Sequence, residues 1–202
     1  ENDAKRTYVA QSGLIGLNGP DSSRGGRPLY AVEKTSYTLA DAKGVQDQKG
    51  QSEKVLNVPM VFKTPEGVEI IKTFTFTQGQ YPIVVKHQVI NRSQQSWQGQ
   101  MFGQLKRDNS EDPGKSSQGI FTLGTFLGGA WGTPDAHYNK LKFANFSEEK
   151  VNTEAKGGWV AIVQHYFVSA WIPGNLKLTQ ANGQPYVAKL ESRQSADHMN
   201  II

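Results

Sequence analysis

Between Lys54 and Ser93 the chain reads "KVLNVPMVFKT", "PEG", "VEIIKTFTFT", "QGQ", "YPIVVKHQVINRS". Phe74 and Phe76 alternate with Thr73, Thr75 and Thr77, the period of two that sends successive side chains to opposite faces of a strand. The intervening triplets supply the Pro and Gly that tight turns need. An antiparallel meander is therefore expected, at the spacing of all-β sandwiches and barrels. "SWQGQMFGQLKRD" predicts one more strand, with Trp97 and Phe102 as core candidates.

The most apolar run is "KGGWVAIVQHYFVSAWIPGN", Lys156 to Asn175. Its tract from Trp159 to Ile172 is interrupted by Gln164, His165 and Ser169 and is too short for a spanning helix, which needs about 20 apolar residues. Flanking glycines and proline, with β-branched and aromatic content, favour one buried strand over a helix, with a bend near Ser169. Helix signals are weak elsewhere. "SEEKVNTEA" predicts at most a helical turn capped by Ser147. "NGPDSSRGGRPLY" and "DNSEDPGKSSQG" read as loops, and "ADAKGVQDQKGQSEK" as a surface hairpin or mobile insertion. No fixed-period repeat is found. The fold class is all-β, one domain over residues 1–202.

The 202 residues carry 22 basic and 18 acidic side chains, a net charge of +4, with no block of like charge. Nucleic-acid binding, which wants clustered cations with interleaved aromatics, is disfavoured. The absence of cysteine removes disulfides, thiolate metal sites and thiol catalysis together. Histidines 87, 137, 165 and 198 show no metal-ligand spacing within one element. His87, within "IVVKHQVI", and His165, within the apolar run, fit either a pocket lining or, more commonly, a hydrogen-bonded strand histidine. Acidic residues gather in "SEDPG" and "SEEK", which look like solvated loops rather than paired catalytic carboxylates. Gly13, Gly16 and Gly19 in "GLIGLNG" match a dinucleotide fingerprint only loosely and read as turn glycines. In "FTLGTFLGGAWGTP", Phe121, Phe126 and Trp131 lie among glycines. That pattern fits a core strand with a glycine-rich bend, or an apolar groove lip able to take a partner.

The blocks "AQSGLIGLNGPD", "RPLYAVEK", "NVPMVF", "KTFTFTQGQYPIVV", "FGQLKRD", "GTFLGGAWGTPDAHYNKLKF" and "KGGWVAIVQHYFVSAWIP" together resemble, in order, the large periplasmic domain of the YidC membrane protein insertase family of Gram-negative bacteria. They cover most of residues 8–173. The resemblance implies a β-supersandwich similar to the galactose mutarotase-like, carbohydrate-binding fold. It implies a periplasmic domain of an inner-membrane protein, truncated at both ends, with the transmembrane insertase region absent. The tail "NLKLTQANGQPYVAKLESRQSADHMNII" departs from the family pattern, although "MNII" reads as the opening of a strand. The insertion "ADAKGVQDQKGQSEK" is also longer than the family leads one to expect.

The implied role is accessory and non-catalytic, with no cofactor. The implied partners are the periplasmic part of SecDF and the SecYEG translocon, while nascent membrane proteins meet the absent transmembrane region. The docking surface is expected within Leu123–Pro173, on Phe126, Trp131, Tyr138, Lys140, Lys142 and Phe143. The alternative is a carbohydrate-binding or mutarotase-like domain, whose sign would be a histidine within hydrogen-bond reach of a buried carboxylate. A surface cleft holding a weak peptide or sugar-like ligand is compatible with either reading.

Overall fold

The computed structural model describes residues 6–22, 27–46, 49–110, 126–164, 166–174, 188–194 and 198–202. The chain divides into two compact units: Gly13–Met101, and Glu1–Ser12 with Phe102–Ile202. Both are built on antiparallel sheets, as an all-β chain requires.

In the unit Gly13–Met101 the expected meander is present. β2 (Lys43–Gln46), β3 (Ser52–Lys63), β4 (Val68–Thr77) and β5 (Ile83–Asn91) form one sheet in that order. The pairing of β2 with β3 makes the polar insertion a surface hairpin. In register, Phe62 faces Ile70, and Ile70 faces Val89, so alternation brings these side chains to one face. That face holds a small core of Leu14, Val68 and Ile70, with Tyr30, Phe62, Val89 and Trp97 packed against it. Tyr30 and Phe62 meet at 5.7 Å between ring centres. Ala31 and Val61 exchange both backbone bonds at 2.8 Å, which ties this covering segment to β3.

The other unit contains a sandwich. One sheet runs β1 (Tyr8–Ile15), β6 (Gln100–Asp108), β13 (His198–Ile201), β12 (Ala188–Gln194), β9 (Asn152–Ala155). The unit boundary falls within β1 and β6. The second sheet runs β11 (Val168–Trp171), β10 (Trp159–Val163), β7 (Gly128–Gly132), β8 (Asn139–Lys142). Leu105, Leu190, Met199 and Ile201 from the first sheet meet Leu141, Val160 and Ile162 from the second, together with Phe143, Phe146 and Val151. Inward and outward positions alternate along each strand, as sheet packing demands. A Cβ at Gly129 would stand 3.0 Å from Ile201 Cδ1 and 3.1 Å from Phe146 Cζ, so the bare backbone there admits both side chains. Trp171 Nε1 donates to Gln104 O at 3.0 Å, and Val151 N–H donates to Ser192 Oγ at 2.9 Å.

Three expectations are corrected. The apolar run is not one buried strand but a hairpin, closed by Gln164 N–H to Phe167 O at 2.8 Å and Phe167 N–H to Gln164 O at 3.3 Å. Its first arm is central and buried, while its second is a sheet edge with Val168 65% exposed. Ser147 caps no helix: a 3-10 turn stands earlier, at Phe143–Asn145, and Asn152–Ala155 is strand β9. The tail that departs from the family pattern holds β12 as well as the "MNII" strand.

Ile70 and Ile162 are fully buried, one in each unit. Either change to alanine should lower the unfolding free energy by about 2–5 kcal/mol in urea titration. Tyr81→Ala, at a fully exposed position, should stay within about 0.5 kcal/mol.

Candidate functional site

The expected docking residues fall on both faces of the β11-β10-β7-β8 sheet, and strand alternation decides which. Trp131 faces Val160 across the β7–β10 ladder, and Val160 belongs to the core. Trp131 therefore packs inward, partly buried. Phe143 follows β8 into the 3-10 turn and is only 4% exposed, edge-on to Phe146 at 5.1 Å, with the Arg107 guanidinium 5.9 Å from its ring centre. Phe143 is thus closed to a partner, and Trp131 is committed in large part to the core. Lys140 and Lys142 flank the buried Leu141 and project to the opposite face, where both are exposed. Tyr138 is 61% exposed. Phe121 lies outside the described residues.

Glycines on β7 shape this outer face. A Cβ at Gly132 would lie 2.3 Å from Trp159 Nε1, so the indole can rest across β7 only because no side chain stands there. Tyr138 extends the same surface, 6.1 Å from the Trp159 ring centre. At the other end of β7, a Cβ at Gly128 would lie 2.8 Å from Phe126 Cζ, and Lys140 Nζ stands 5.3 Å from the Phe126 ring centre. The result is an aromatic surface with cations beside it, a composition suited to contact with another macromolecule. It brings together Phe126, Tyr138, Lys140 and Lys142 and adds Trp159, which pattern reading had assigned to the core.

The unit Gly13–Met101 holds a different cluster. Lys72 and His87 are directly opposed on β4 and β5. Neither ring nitrogen of His87 meets a hydrogen-bond partner, contrary to the strand-histidine expectation. Burial, then the Lys72 charge, pulls its pKa from 6.5 down to about 4, against the opposing influence of Asp21. The Asp21 carboxylate instead accepts the Leu14 N–H at 2.7 Å. The sign of a catalytic histidine–carboxylate pair is thus not met at His87, and His165 lies outside the described residues. A cleft of about 460 Å³ is lined by Leu17, Asn18, Glu66, Ser93, Gln95 and Trp97 among others. Several of its polar groups already serve local turns, with Asn18 Oδ1 accepting from Gln98 N–H and Thr64 Oγ1 from Val68 N–H. Among the described residues no group of three His, Asp or Glu could hold a metal, and no helix is long and apolar enough to cross a membrane.

These features define an all-β domain with an aromatic and cationic outer sheet face. Its sequence matches the YidC periplasmic domain family over residues 1–199, and the chain belongs to that family. Proteins named membrane protein insertase YidC are similar to it. The one from Alcanivorax borkumensis is 46% identical over 175 residues, covering 86% of this chain and 28% of the relative. That from Marinomonas sp. is 44% identical over 173 residues, 86% of this chain and 29% of the relative. That from Azotobacter vinelandii is 42% identical over 188 residues, 91% and 31% respectively. The chain thus spans less than a third of these relatives.

His87 predicts a pH dependence with a definite sign. Its neutral form is favoured by folding, so between pH 6.5 and about 4 the unfolded state binds more protons. Stability should be full above pH 6.5 and fall as pH drops towards 4. Glu191, hydrogen-bonded by Arg193 and held below its usual 4.5, loses its contribution only at lower pH. Urea titrations at pH 7.5 and 5 should therefore differ for the wild type, and much less for His87→Leu.

Proposed function

We propose that this domain is a non-catalytic docking module on the periplasmic side of the inner membrane, assisting a membrane protein insertase by contacting accessory subunits of the Sec translocon. The periplasmic part of SecDF is its direct partner, with SecYEG beside it. Nascent membrane proteins are handled by a transmembrane region that these 202 residues do not contain. The likeness to galactose mutarotase-type supersandwiches is, in this reading, one of architecture and not of chemistry.

The observation that supports the reading is the outer face of the β11-β10-β7-β8 sheet. Phe126, Tyr138 and Trp159 offer rigid aromatic area at low entropic cost, and Lys140 and Lys142 rim it. The acids and bases of residues 123–173 balance, so contact area rather than long-range steering sets affinity.

The test is retention of the periplasmic part of SecDF by the immobilised chain in low-salt buffer. The wild type should bind, and Tyr138→Ala with Lys140→Glu, shown folded by circular dichroism, should bind at least about tenfold more weakly. Trp131→Ala is unsuitable, because it would disturb the core. A folded wild type that retains no SecDF contradicts the proposal.

A further inference from the structure

Strands β10 and β11 are joined by a hairpin whose ends, Gln164 and Phe167, exchange two backbone bonds. The three consecutive side chains Tyr166, Phe167 and Val168 are 80%, 72% and 65% exposed. No other described stretch of this unit turns three large apolar residues outward in a row. Such a cluster is unusual on a surface that faces only water.

The sheet register places cations at the same end. Val168 faces Val163, Val163 faces Gly128, and Gly128 faces Lys142. At about 4.8 Å per strand, Lys142 stands roughly 14 Å from Val168 along one row of the outer face. Phe126 lies over Gly128 in that row, with Lys140 beside its ring. Among the described residues neither lysine is held in an ion pair, while three carboxylates of the same unit have other partners: Asp108 accepts from Thr7 and Ser110, Glu149 from Asn145, and Glu191 from Arg193.

We propose that this hairpin end is a bilayer contact, in which Tyr166, Phe167 and Val168 enter the headgroup–acyl boundary of a membrane containing anionic lipid and Lys142 and Lys140 lie at phosphate level. Tyrosine and phenylalanine suit the shallow interfacial depth of about 5–10 Å, and lysines beside them match anionic headgroups. The inference goes beyond the docking reading and rests on it only for the presence of a membrane nearby.

Co-sedimentation of the 202-residue chain with vesicles tests it. Vesicles of phosphatidylcholine with about one third phosphatidylglycerol should bind the wild type more strongly than pure phosphatidylcholine. The variant Tyr166→Ser, Phe167→Ser, Val168→Ser should lose at least about tenfold in binding while staying folded. Lys140→Gln with Lys142→Gln should abolish the preference for anionic vesicles. The tip variant should still retain SecDF, and Tyr138→Ala should still bind vesicles, so the two proposals fail separately. Absence of vesicle binding by the folded wild type, or binding unchanged in the tip variant, overturns the inference. So does saturation of the tip by an extended apolar peptide in place of vesicles.

Discussion

The sequence "GGAWG" of β7 is the constraint on which the sandwich depends. Three of its five positions lack a side chain, and aromatic groups use that emptiness from both sides. At Gly129 the inner face takes Phe146 and Ile201 against bare backbone. At Gly128 and Gly132 the outer face takes Phe126 and Trp159 in the same way. Trp131, the one large residue of the strand, fills the inner face beside Val160. A central strand that would ordinarily be built of β-branched residues is instead thin, and large rings from its neighbours complete both layers.

This arrangement links core to surface. The ring of Trp159 reaches across β7 and meets Tyr138, and Phe126 reaches across it and meets Lys140. This outer aromatic face is therefore fixed by the same strand that closes the core, and its rings are held in place by packing. Substitutions in β7 should act on stability, whereas changes at the exposed Tyr138 or at the β10–β11 tip should leave it nearly unchanged. The unit Gly13–Met101 is organised differently, around ordinary alternation on β4. Within it His87 is buried opposite Lys72, two groups that share a face because register forces them together.

What the sequence revealed depended on how local each signal was. The meander of β3, β4 and β5 was legible because Phe and Thr alternate and glycine turns separate the runs. The β10–β11 hairpin was not, because its turn between Gln164 and Phe167 contains no Gly, Pro, Asn or Asp to announce it. Strand β12, "AKLESRQ", is mostly polar and exists because β9 and β13 pair with it on either side. Of the expected docking residues, Tyr138, Lys140 and Lys142 stand exposed, as a polar or half-polar residue in a short strand and its turn ordinarily does. Phe143 was misplaced because a phenylalanine after "KLK" reads as a rim residue, while the turn that follows carries it under Arg107 and against Phe146. The opposition of Lys72 and His87 comes from a register that no single segment encodes.

The family and the all-β architecture are secure on sequence and fold together, and the account of the sandwich rests on the thinness of β7. The most direct measurement is urea unfolding of Gly129→Val beside the wild type. A side chain there meets Ile201 Cδ1 and Phe146 at once, so the variant should lose about 1–3 kcal/mol or more and shift the tryptophan emission of the sandwich. A variant as stable as the wild type, with unchanged emission, would contradict the claim that bare backbone on β7 is what seats the two aromatic layers.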